Sequence, residues 1–246
     1  MFLKNIQVVD WPDNTSDYPF NLSALQGLEE IQFDKAITYF VGENGSGKSS
    51  VLEAIAVSAG FNSEGGSRHN VFSTVDTGPS LADHFHLSWW PKVTNGFFLR
   101  AESFFNFSTY IDNIARDSPE ESRVYASYGG RSLHQQSHGE SFLSLFTHRF
   151  RHKNKALYLL DEPEAALTPM RQLALLRILW DHEQSGRSQF IMATHSPILL
   201  AYPGADILSF DSSPLRSVSY EQTDHYIITK EFLLHRDRML QELFKS

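Results

Sequence analysis

The segment Gly42-Glu43-Asn44-Gly45-Ser46-Gly47-Lys48-Ser49 has the pattern G-x-x-x-x-G-K-S of a phosphate-binding loop, or P-loop. Its glycines let the backbone turn tightly enough for several N–H groups to point at one anion. The lysine of such a loop reaches the β- and γ-phosphates, and the serine that follows can ligate Mg²⁺. The segment therefore predicts a site for a nucleoside triphosphate.

The flanks of the loop have the expected pattern. Residues 36–41 are an apolar run typical of a buried strand, and residues 50–56 read as a helix. A strand, a glycine-rich loop and a helix in this order place a phosphate at the helix N-terminus. The context thus favours a true P-loop over a chance match.

Composition limits the possible classes of protein. The chain has 246 residues, is 41% hydrophobic and carries a formal net charge of −8. This charge argues against a surface devoted to nucleic acid, although the basic run at residues 149–153 leaves a local patch open. The chain has no cysteine, no signal-peptide pattern at its start and no apolar run long enough to span a membrane, so we expect the cytoplasm.

Strand and helix patterns alternate along the second half of the chain. Apolar strands are predicted at residues 156–160 and 189–193, with a helix at 169–184 between them and a last amphipathic helix at 230–244. Such alternation predicts an α/β protein with a mainly parallel sheet. Further strands are predicted at 2–9, 28–33 and 218–220, a flexible connection at 62–80, a loop at 117–138 and a helix at 140–151.

Two carboxylates end one of the buried strands. Asp161 and Glu162 follow Leu157-Tyr158-Leu159-Leu160, and the carboxyl end of a strand is where α/β sheets bind ligands. Asp161 suits a contact to Mg²⁺, and Glu162 suits a general base that polarises an attacking water. An acidic turn without function is the alternative, which the P-loop makes less favourable.

His195 follows the next buried strand, in Ala193-Thr194-His195-Ser196-Pro197. It would lie at the same edge of the sheet, where a histidine can hydrogen-bond a γ-phosphate and the attacking water. The segment Ser137-His138-Gly139-Glu140 precedes a helix and has the small residues of a second anion site. An ordinary helix cap is the alternative interpretation of that segment.

The order of these motifs resembles that of the ATP-binding-cassette (ABC) ATPases. Residues 137–140 look like a variant of the family's S-G-G-Q signature, with His138 and Glu140 as departures. Leu167 falls in the segment that resembles the D-loop. The resemblance implies a P-loop NTPase fold of the α/β class, with a mainly parallel central sheet, an N-terminal antiparallel part and a helical signature region. It also implies one ABC-like domain over residues 1–246, with an ATP-binding core at about 1–60 and 155–246 and a helical lobe at 84–152.

The finer features resemble a soluble branch of that superfamily. Glu164 after Pro163, and Ser196-Pro197 after His195, are similar to the SMC-type, recombination-mediator and overcoming-lysogenization-defect ATPases. The distance of 89 residues from Lys48 to Ser137 leaves no room for a long coiled coil. The chain therefore looks like a small stand-alone bacterial AAA family ATPase.

The resemblance assigns residues to a composite site for ATP and Mg²⁺. Glu162, His195 and Lys48 would be catalytic, Ser49 and Asp161 would hold the metal, and residues 137–140 would act on the nucleotide of a partner copy. Glu102 could replace the family's Q-loop glutamine as a further contact to Mg²⁺, and Arg100 could meet phosphate, with a surface salt bridge as the alternative for both. The residues expected at ATP within one chain are Glu43, Asn44, Gly45, Ser46, Gly47, Lys48, Ser49 and Ser50.

Three biological outputs stay open at this stage. The first is an ATP-dependent head-to-tail homodimer that acts as a switch on DNA or a partner protein, as in DNA repair or anti-phage defence. The second is the ATP-binding subunit of a membrane transporter, which is less favoured because the Q-loop region is atypical. The third is a regulatory ATP-binding module with little turnover. The aromatic side chain that stacks on adenine is also open between Tyr18, Phe20 and Trp11.

Overall fold

The computed structural model describes residues 1–12, 14–68, 80–150 and 154–245. Part of the predicted connection at 62–80 and part of the basic run at 149–153 lie outside these residues. The elements are β1 Leu3–Val8, β2 Glu30–Gln32, β3 Ile37–Val41, α1 Lys48–Ser58, β4 Phe85–Trp89, β5 Asn95–Arg100, α2 Phe104–Asp117, α3 Glu121–Ala126, α4 His138–Ser144, β6 Ala156–Asp161, α5 Pro169–Gln184, β7 Ser188–Ala193, α6 Pro197–Leu200, β8 Asp206–Ser209, β9 Arg216–Ser217 and α7 Asp224–Leu243.

Two sheets form the framework. The central sheet has the order β5-β6-β7-β3-β8-β9, and all its pairings are parallel except that of β8 with β9. A small antiparallel sheet has the order β2-β1-β4. The predicted α/β class, with a mainly parallel sheet and an N-terminal antiparallel part, is confirmed.

Side chains alternate between two cores, because successive residues of a strand point to opposite faces of the sheet. Along β6, Leu157 and Leu159 pack into the core beneath α1, whereas Tyr158 and Leu160 pack into the core beneath the other helices. All six residues of β6 are buried. This explains why the strand reads as a continuous apolar run.

One buried amide joins the small sheet to the central sheet. The side-chain oxygen of Gln189, in β7, accepts hydrogen bonds from the backbone N–H groups of Phe2 (2.7 Å) and Leu3 (2.9 Å). Its amide nitrogen donates to the carbonyl of Leu3 at 2.9 Å. Because Gln189 is fully buried, these bonds satisfy a polar group that would otherwise cost folding free energy.

The helical region contains differences from the predicted elements. Along the predicted helix at 140–151, the apolar stripe of Phe142, Leu145, Phe146 and Phe150 is buried, but α4 ends at Ser144 and a π-helical turn, Leu145–Arg149, follows it. The predicted loop at 117–138 is wrong, because it contains α3 and a short 3₁₀ turn at Leu133–Gln135. Strands β4 and β5, which the proposed lobe at 84–152 included, belong to the sheets, and the division into lobes stays a prediction.

The last part of the chain also differs in its boundaries. The predicted strand at 218–220 is wrong, since β9 covers only Arg216–Ser217 and a 3₁₀ turn begins at Tyr220. Helix α7 begins at Asp224, six residues earlier than predicted, and its apolar Leu233 and Leu234 are exposed. Among the described residues, we find no helix with the length and apolar character needed to cross a membrane.

Candidate functional site

The register of the central sheet gathers the predicted motifs at one edge. Phe40 of β3 and Asp161 of β6 both pair with Ala193 of β7, and Arg100 of β5 pairs with Asp161. The parallel strands therefore end side by side, and the segments that follow them begin from the same edge. Open α/β sheets bind ligands at this edge.

The P-loop leaves β3 in a conformation that requires glycine. Gly42, Gly45 and Gly47 all have positive φ, at 147°, 79° and 103°. A Cβ atom on Gly42 would lie 2.9 Å from the Oδ1 atom of Asp211. That oxygen accepts a hydrogen bond from the backbone N–H of Glu43 at 2.7 Å. Asp211, just beyond β8, thus holds the first turn of the loop in place.

Lys48 begins helix α1 and is buried beneath the loop. Its Nζ donates hydrogen bonds to the carbonyls of Gly42 (2.7 Å) and Glu43 (2.8 Å). Burial lowers the pKa of the ammonium, and nearby carboxylates oppose that effect only in part. No carboxylate in the described part of the chain forms an ion pair with it. A desolvated cation without a direct counter-ion favours the binding of an anion.

Ser49 and Asp161 meet across the edge. The Ser49 hydroxyl donates to Asp161 Oδ1 at 2.9 Å. Burial raises the pKa of Asp161 to about 6, although the bond from Ser49 and the charge of Arg100 act in the opposite direction. A hydroxyl and a carboxylate are the hard oxygen ligands that Mg²⁺ prefers. No group of three or more His, Asp or Glu side chains within the described residues could hold a metal, so a Mg²⁺ here would take further ligands from phosphate and water.

Arg100 and Glu102 form the salt-bridge network that the sequence left as an alternative. Arg100 Nη1 lies 2.9 Å from Glu53 in α1, and its Nε lies 3.8 Å from Asp161 Oδ2. Glu102 is 86% exposed and lies 3.6 Å from Arg100 Nη2. The guanidinium therefore links α1 to the end of β6, and Glu102 meets it from the solvent side.

Glu162 sits in a sharp turn after β6. Its backbone is left-handed, with φ 48° and ψ 52°, a region that costs a residue with a side chain roughly 1–2 kcal/mol. The turn is held by the N–H of Glu162, which donates to the carbonyl of Ala193 at 2.9 Å, and by Pro163, which starts a 3₁₀ turn. The carboxylate of Glu162 is therefore half-exposed, whereas the strand that precedes it is buried.

His195 approaches Glu162 from the neighbouring strand. Its Nε2 lies 3.8 Å from Glu162 Oε1, and its Nδ1 is hydrogen-bonded to Nε2 of His225 at 2.9 Å. Burial, followed by the charges of Lys48 and His225, lowers the pKa of His195. The ring is therefore neutral at neutral pH.

The loop that carries His195 is anchored by Glu164. One oxygen of this carboxylate accepts from the backbone N–H of His195 at 2.5 Å, and the other accepts from the Thr194 hydroxyl at 2.7 Å. Burial raises the pKa of Glu164, and these two bonds oppose the increase. The sequence identified Glu164 only as a mark of the soluble branch and did not reveal this contact.

The signature-like segment is arranged as a helix cap. The Glu140 carboxylate accepts from the backbone N–H of Ser137 at 3.1 Å, which is the capping interaction left open as the alternative. Arg171 of α5 lies over Gly139, where an added Cβ would be 2.1 Å from its Nη1. The same Nη1 donates to the Ser137 hydroxyl at 3.3 Å. The backbone of His138 lies in the first turn of α4.

In the D-loop-like segment, Leu167 is not one of the side chains at the surface. That side chain is buried in the core of its own chain, whereas Thr168 and Met170 are exposed. Any contact of this segment with another molecule would therefore involve the exposed residues.

The three aromatic candidates for adenine stacking differ in accessibility. Phe20 is buried against Trp11 and His84, so its ring is not available. Tyr18 is 65% exposed, and its hydroxyl is hydrogen-bonded to that of Ser50 at 2.6 Å. It lines a cavity of about 300 Å³ beside the P-loop helix. Trp11 is partly buried, so Tyr18 is the most accessible of the three rings.

Comparison with known proteins agrees with this fold. A family described as "AAA domain" matches residues 20–127, and one described as "AAA domain, putative AbiEii toxin, Type IV TA system" matches residues 121–201. None of the curated proteins matches the chain.

Solved structures of low sequence identity share the architecture. A protein described as a metal-chelate type ABC transporter, in an inward-facing conformation, is 17% identical, with 94% of this chain and 89% of that chain covered and a TM-score of 0.51. The ATP-binding cassette of an ABC transporter in its ADP conformation is 15% identical over 100% of both chains, with a TM-score of 0.49. The SMC head domain from Thermotoga maritima is 16% identical over 89% of this chain and 99% of that chain, with a TM-score of 0.46. At these identities the similarity concerns the fold alone.

The fold and the motifs at its sheet edge are similar to those of P-loop ATPases of the AAA and ABC types. Two AAA-domain models thus match parts of the chain, and its fold is similar to that of ABC ATPases, which agrees with the resemblance that the motifs suggested.

Proposed function

We propose that this protein binds ATP with Mg²⁺ and hydrolyses it in a composite site between two copies of the chain. The observation that carries the proposal is the juxtaposition at one sheet edge of a buried lysine, a serine–aspartate pair and a glutamate–histidine pair. These groups are Lys48, the Ser49–Asp161 pair at 2.9 Å and the Glu162–His195 pair at 3.8 Å.

The P-loop residues bind the phosphates in this proposal. Backbone N–H groups of the P-loop other than that of Glu43, which donates to Asp211, neutralise negative charge together with the Lys48 ammonium. Ser49 and Asp161 would hold Mg²⁺, which supplies positive charge at the phosphates. Glu102 stays a weaker candidate for this role, because its carboxylate points into solvent beside Arg100.

Glu162 orients the attacking water and accepts its proton. Its turn directly follows Asp161, its carboxylate is accessible to solvent, and His195 Nε2 lies 3.8 Å from its Oε1 atom. Neutral His195 can donate a hydrogen bond to the γ-phosphate without adding a second cation beside Lys48.

The second half of the site comes from another copy. Residues 137–140 would approach the partner's nucleotide, with the exposed Ser137 immediately before α4. Arg171 must then leave Gly139 or share the phosphate, since it covers this segment in the single chain. ATP binding thus favours a two-fold, head-to-tail homodimer, and hydrolysis releases it, so that the cycle acts as a cytoplasmic switch on DNA or a partner protein.

The substitution Glu162→Gln tests the composite site. It keeps the shape of the side chain but removes the base, so ATP should stay bound and trap a dimer that light scattering detects. Lys48→Ala is the matched control, which should bind ATP poorly and stay monomeric. If Glu162→Gln binds ATP with normal affinity but remains monomeric, the composite site is wrong.

The output on DNA is tested by ATPase assays with duplex DNA over a salt series. Stimulation that falls as salt increases supports a DNA-linked switch, because phosphate contacts release counterions. Turnover that no nucleic acid changes at any salt concentration supports a protein partner instead.

A further inference from the structure

His225, near the start of α7, forms a pair with His195, although it belongs to none of the motifs in the sequence. His225 lies 30 residues beyond His195, yet its Nε2 is 2.9 Å from Nδ1 of His195. One of these two nitrogens must carry the proton of the hydrogen bond, and the choice fixes the tautomer of the catalytic-site histidine.

The surroundings of His195 Nε2 decide between the two tautomers. This nitrogen is buried, has no hydrogen-bond partner among the described residues, and lies 3.8 Å from Glu162 Oε1. A proton on Nε2 faces the carboxylate favourably, whereas a lone pair there would be repelled by it. A lone pair would also be repelled by a phosphate anion.

We propose that His225 is a positioning residue whose Nε2–H donates to Nδ1 of His195 and holds His195 as the tautomer protonated on Nε2. His195 then presents a hydrogen-bond donor toward the space beside Glu162. In other proteins, too, the tautomer of a functional histidine is fixed by the hydrogen bond that its other ring nitrogen makes.

Contacts around the start of α7 fix the position of His225. The buried Thr223 caps the helix, its hydroxyl accepting from the N–H of Tyr226 at 3.3 Å. The Tyr220 ring packs on that of Tyr226 with centroids 4.6 Å apart, and its hydroxyl donates to the carbonyl of Pro197 at 3.0 Å. Pro197 begins α6, two residues after His195, so both histidines are carried by segments that are tied together.

The charge environment supports a bond between two neutral rings. Burial lowers the pKa of both histidines, and the Lys48 ammonium lowers both further. In the favoured state, both imidazole rings are therefore neutral, and one proton lies in the hydrogen bond between them.

The tautomer is measured directly by NMR of the protein with ¹⁵N-labelled histidine, in EDTA and without nucleotide. We expect an unprotonated Nδ1 and a protonated Nε2 for His195. The variant His225→Ala should give a mixture of both tautomers. His225→Gln, whose amide can donate from nearly the same place, should restore the wild-type pattern. A wild-type His195 protonated on Nδ1 overturns the proposal.

Turnover gives a second readout, which rests on the proposed function. His225→Ala should lower kcat about five- to twentyfold, the effect of losing one oriented hydrogen bond, with KM for ATP changed less than about twofold. His225→Gln should recover most of kcat, and Ile228→Ala, an exposed position on the same helix, should leave both parameters unchanged.

The two ideas fail in different ways. If the wild-type protein does not hydrolyse ATP, the proposed function is wrong, and the NMR result alone decides the role of His225. If the wild type is active and His195→Ala is inactive, while both His225 variants have the wild-type kcat, the inference about His225 is wrong and the proposed function stands.

Discussion

Replacing Asp161 by asparagine should stabilise the nucleotide-free protein and abolish ATP turnover. Asp161 is only 6% exposed, and burial raises its pKa from 3.8 to about 6. Because the pKa is higher in the folded state than in the unfolded state, ionisation favours unfolding. This cost is absent below the unfolded pKa of 3.8, grows as the pH rises toward 6, and is complete above about 6.

The full cost follows from the two pKa values. Their difference corresponds to about 3 kcal/mol of unfolding free energy. About half of it is already present near pH 5, because the unfolded carboxyl is ionised there while the folded one is not. Asparagine removes the charge, keeps an oxygen that can accept from Ser49, and leaves Arg100 paired with Glu53.

The assay is urea unfolding of both proteins in EDTA without nucleotide, at about pH 5 and about pH 7.5. At the higher pH the variant should be more stable by up to about 3 kcal/mol, and its advantage should shrink by about 1.5 kcal/mol at the lower pH. Glu102→Gln, at a carboxylate that is 86% exposed, is the control and should change stability by less than about 0.5 kcal/mol at either pH. An Asp161→Asn variant that gains nothing at the higher pH, or gains equally at both, would refute the reasoning.

Three further predictions address the nucleotide, the signature-like segment and the sheet. Tyr18→Ala should weaken ATP binding by about 1–3 kcal/mol in a calorimetric titration, while Tyr18→Phe should keep most of the affinity; equal losses would show that the hydroxyl matters rather than the ring. Gly139→Ala should unfold within about 1 kcal/mol of wild type, since only the Arg171 side chain from Cδ outward must move, but it should lose ATPase activity. Full activity would contradict the proposed role of this segment. Gly96→Ala should lower the free energy of unfolding in urea by about 3 kcal/mol or more, because its Cβ would lie 2.0 Å from the Leu157 carbonyl oxygen. Gly27→Ala, where the Cβ would lie in open space, should cost about 1–2 kcal/mol. Similar losses in the two variants would show that backbone strain alone decides both.

Residues that follow apolar strands could be placed from the sequence, and the reason is geometric. A buried parallel strand can be recognised in the sequence as an apolar run, and the end of the run marks the carboxyl end of the strand. Asp161, Glu162 and His195 therefore fall where the strand pattern put them. Their assignment to catalysis stays a prediction that the experiments above address.

Contacts between distant parts of the chain could not be predicted in the same way. Asp211 holds the P-loop from 168 residues away, and His225 meets His195 from a helix whose start was placed six residues too late. Neither residue has a neighbouring motif, and both depend on how β8 and α7 return to the sheet edge. Helix α3 was missed for another reason: none of its residues is buried, so it has no apolar stripe to reveal it.

Several features that cost stability meet at the proposed site, and their combination supports a function there. The edge combines the buried Asp161 carboxyl, the left-handed backbone of Glu162, and two buried atoms without hydrogen-bond partners among the described residues, Ser46 Oγ and His195 Nε2. Folding alone does not require such features, and proteins tolerate them mainly where a ligand or a reaction uses them. A triphosphate with a divalent cation would relieve several of them together, because it brings positive charge to Asp161 and acceptors to Ser46 and His195. The same reasoning explains why a stabilising substitution at Asp161 should be an inactivating one.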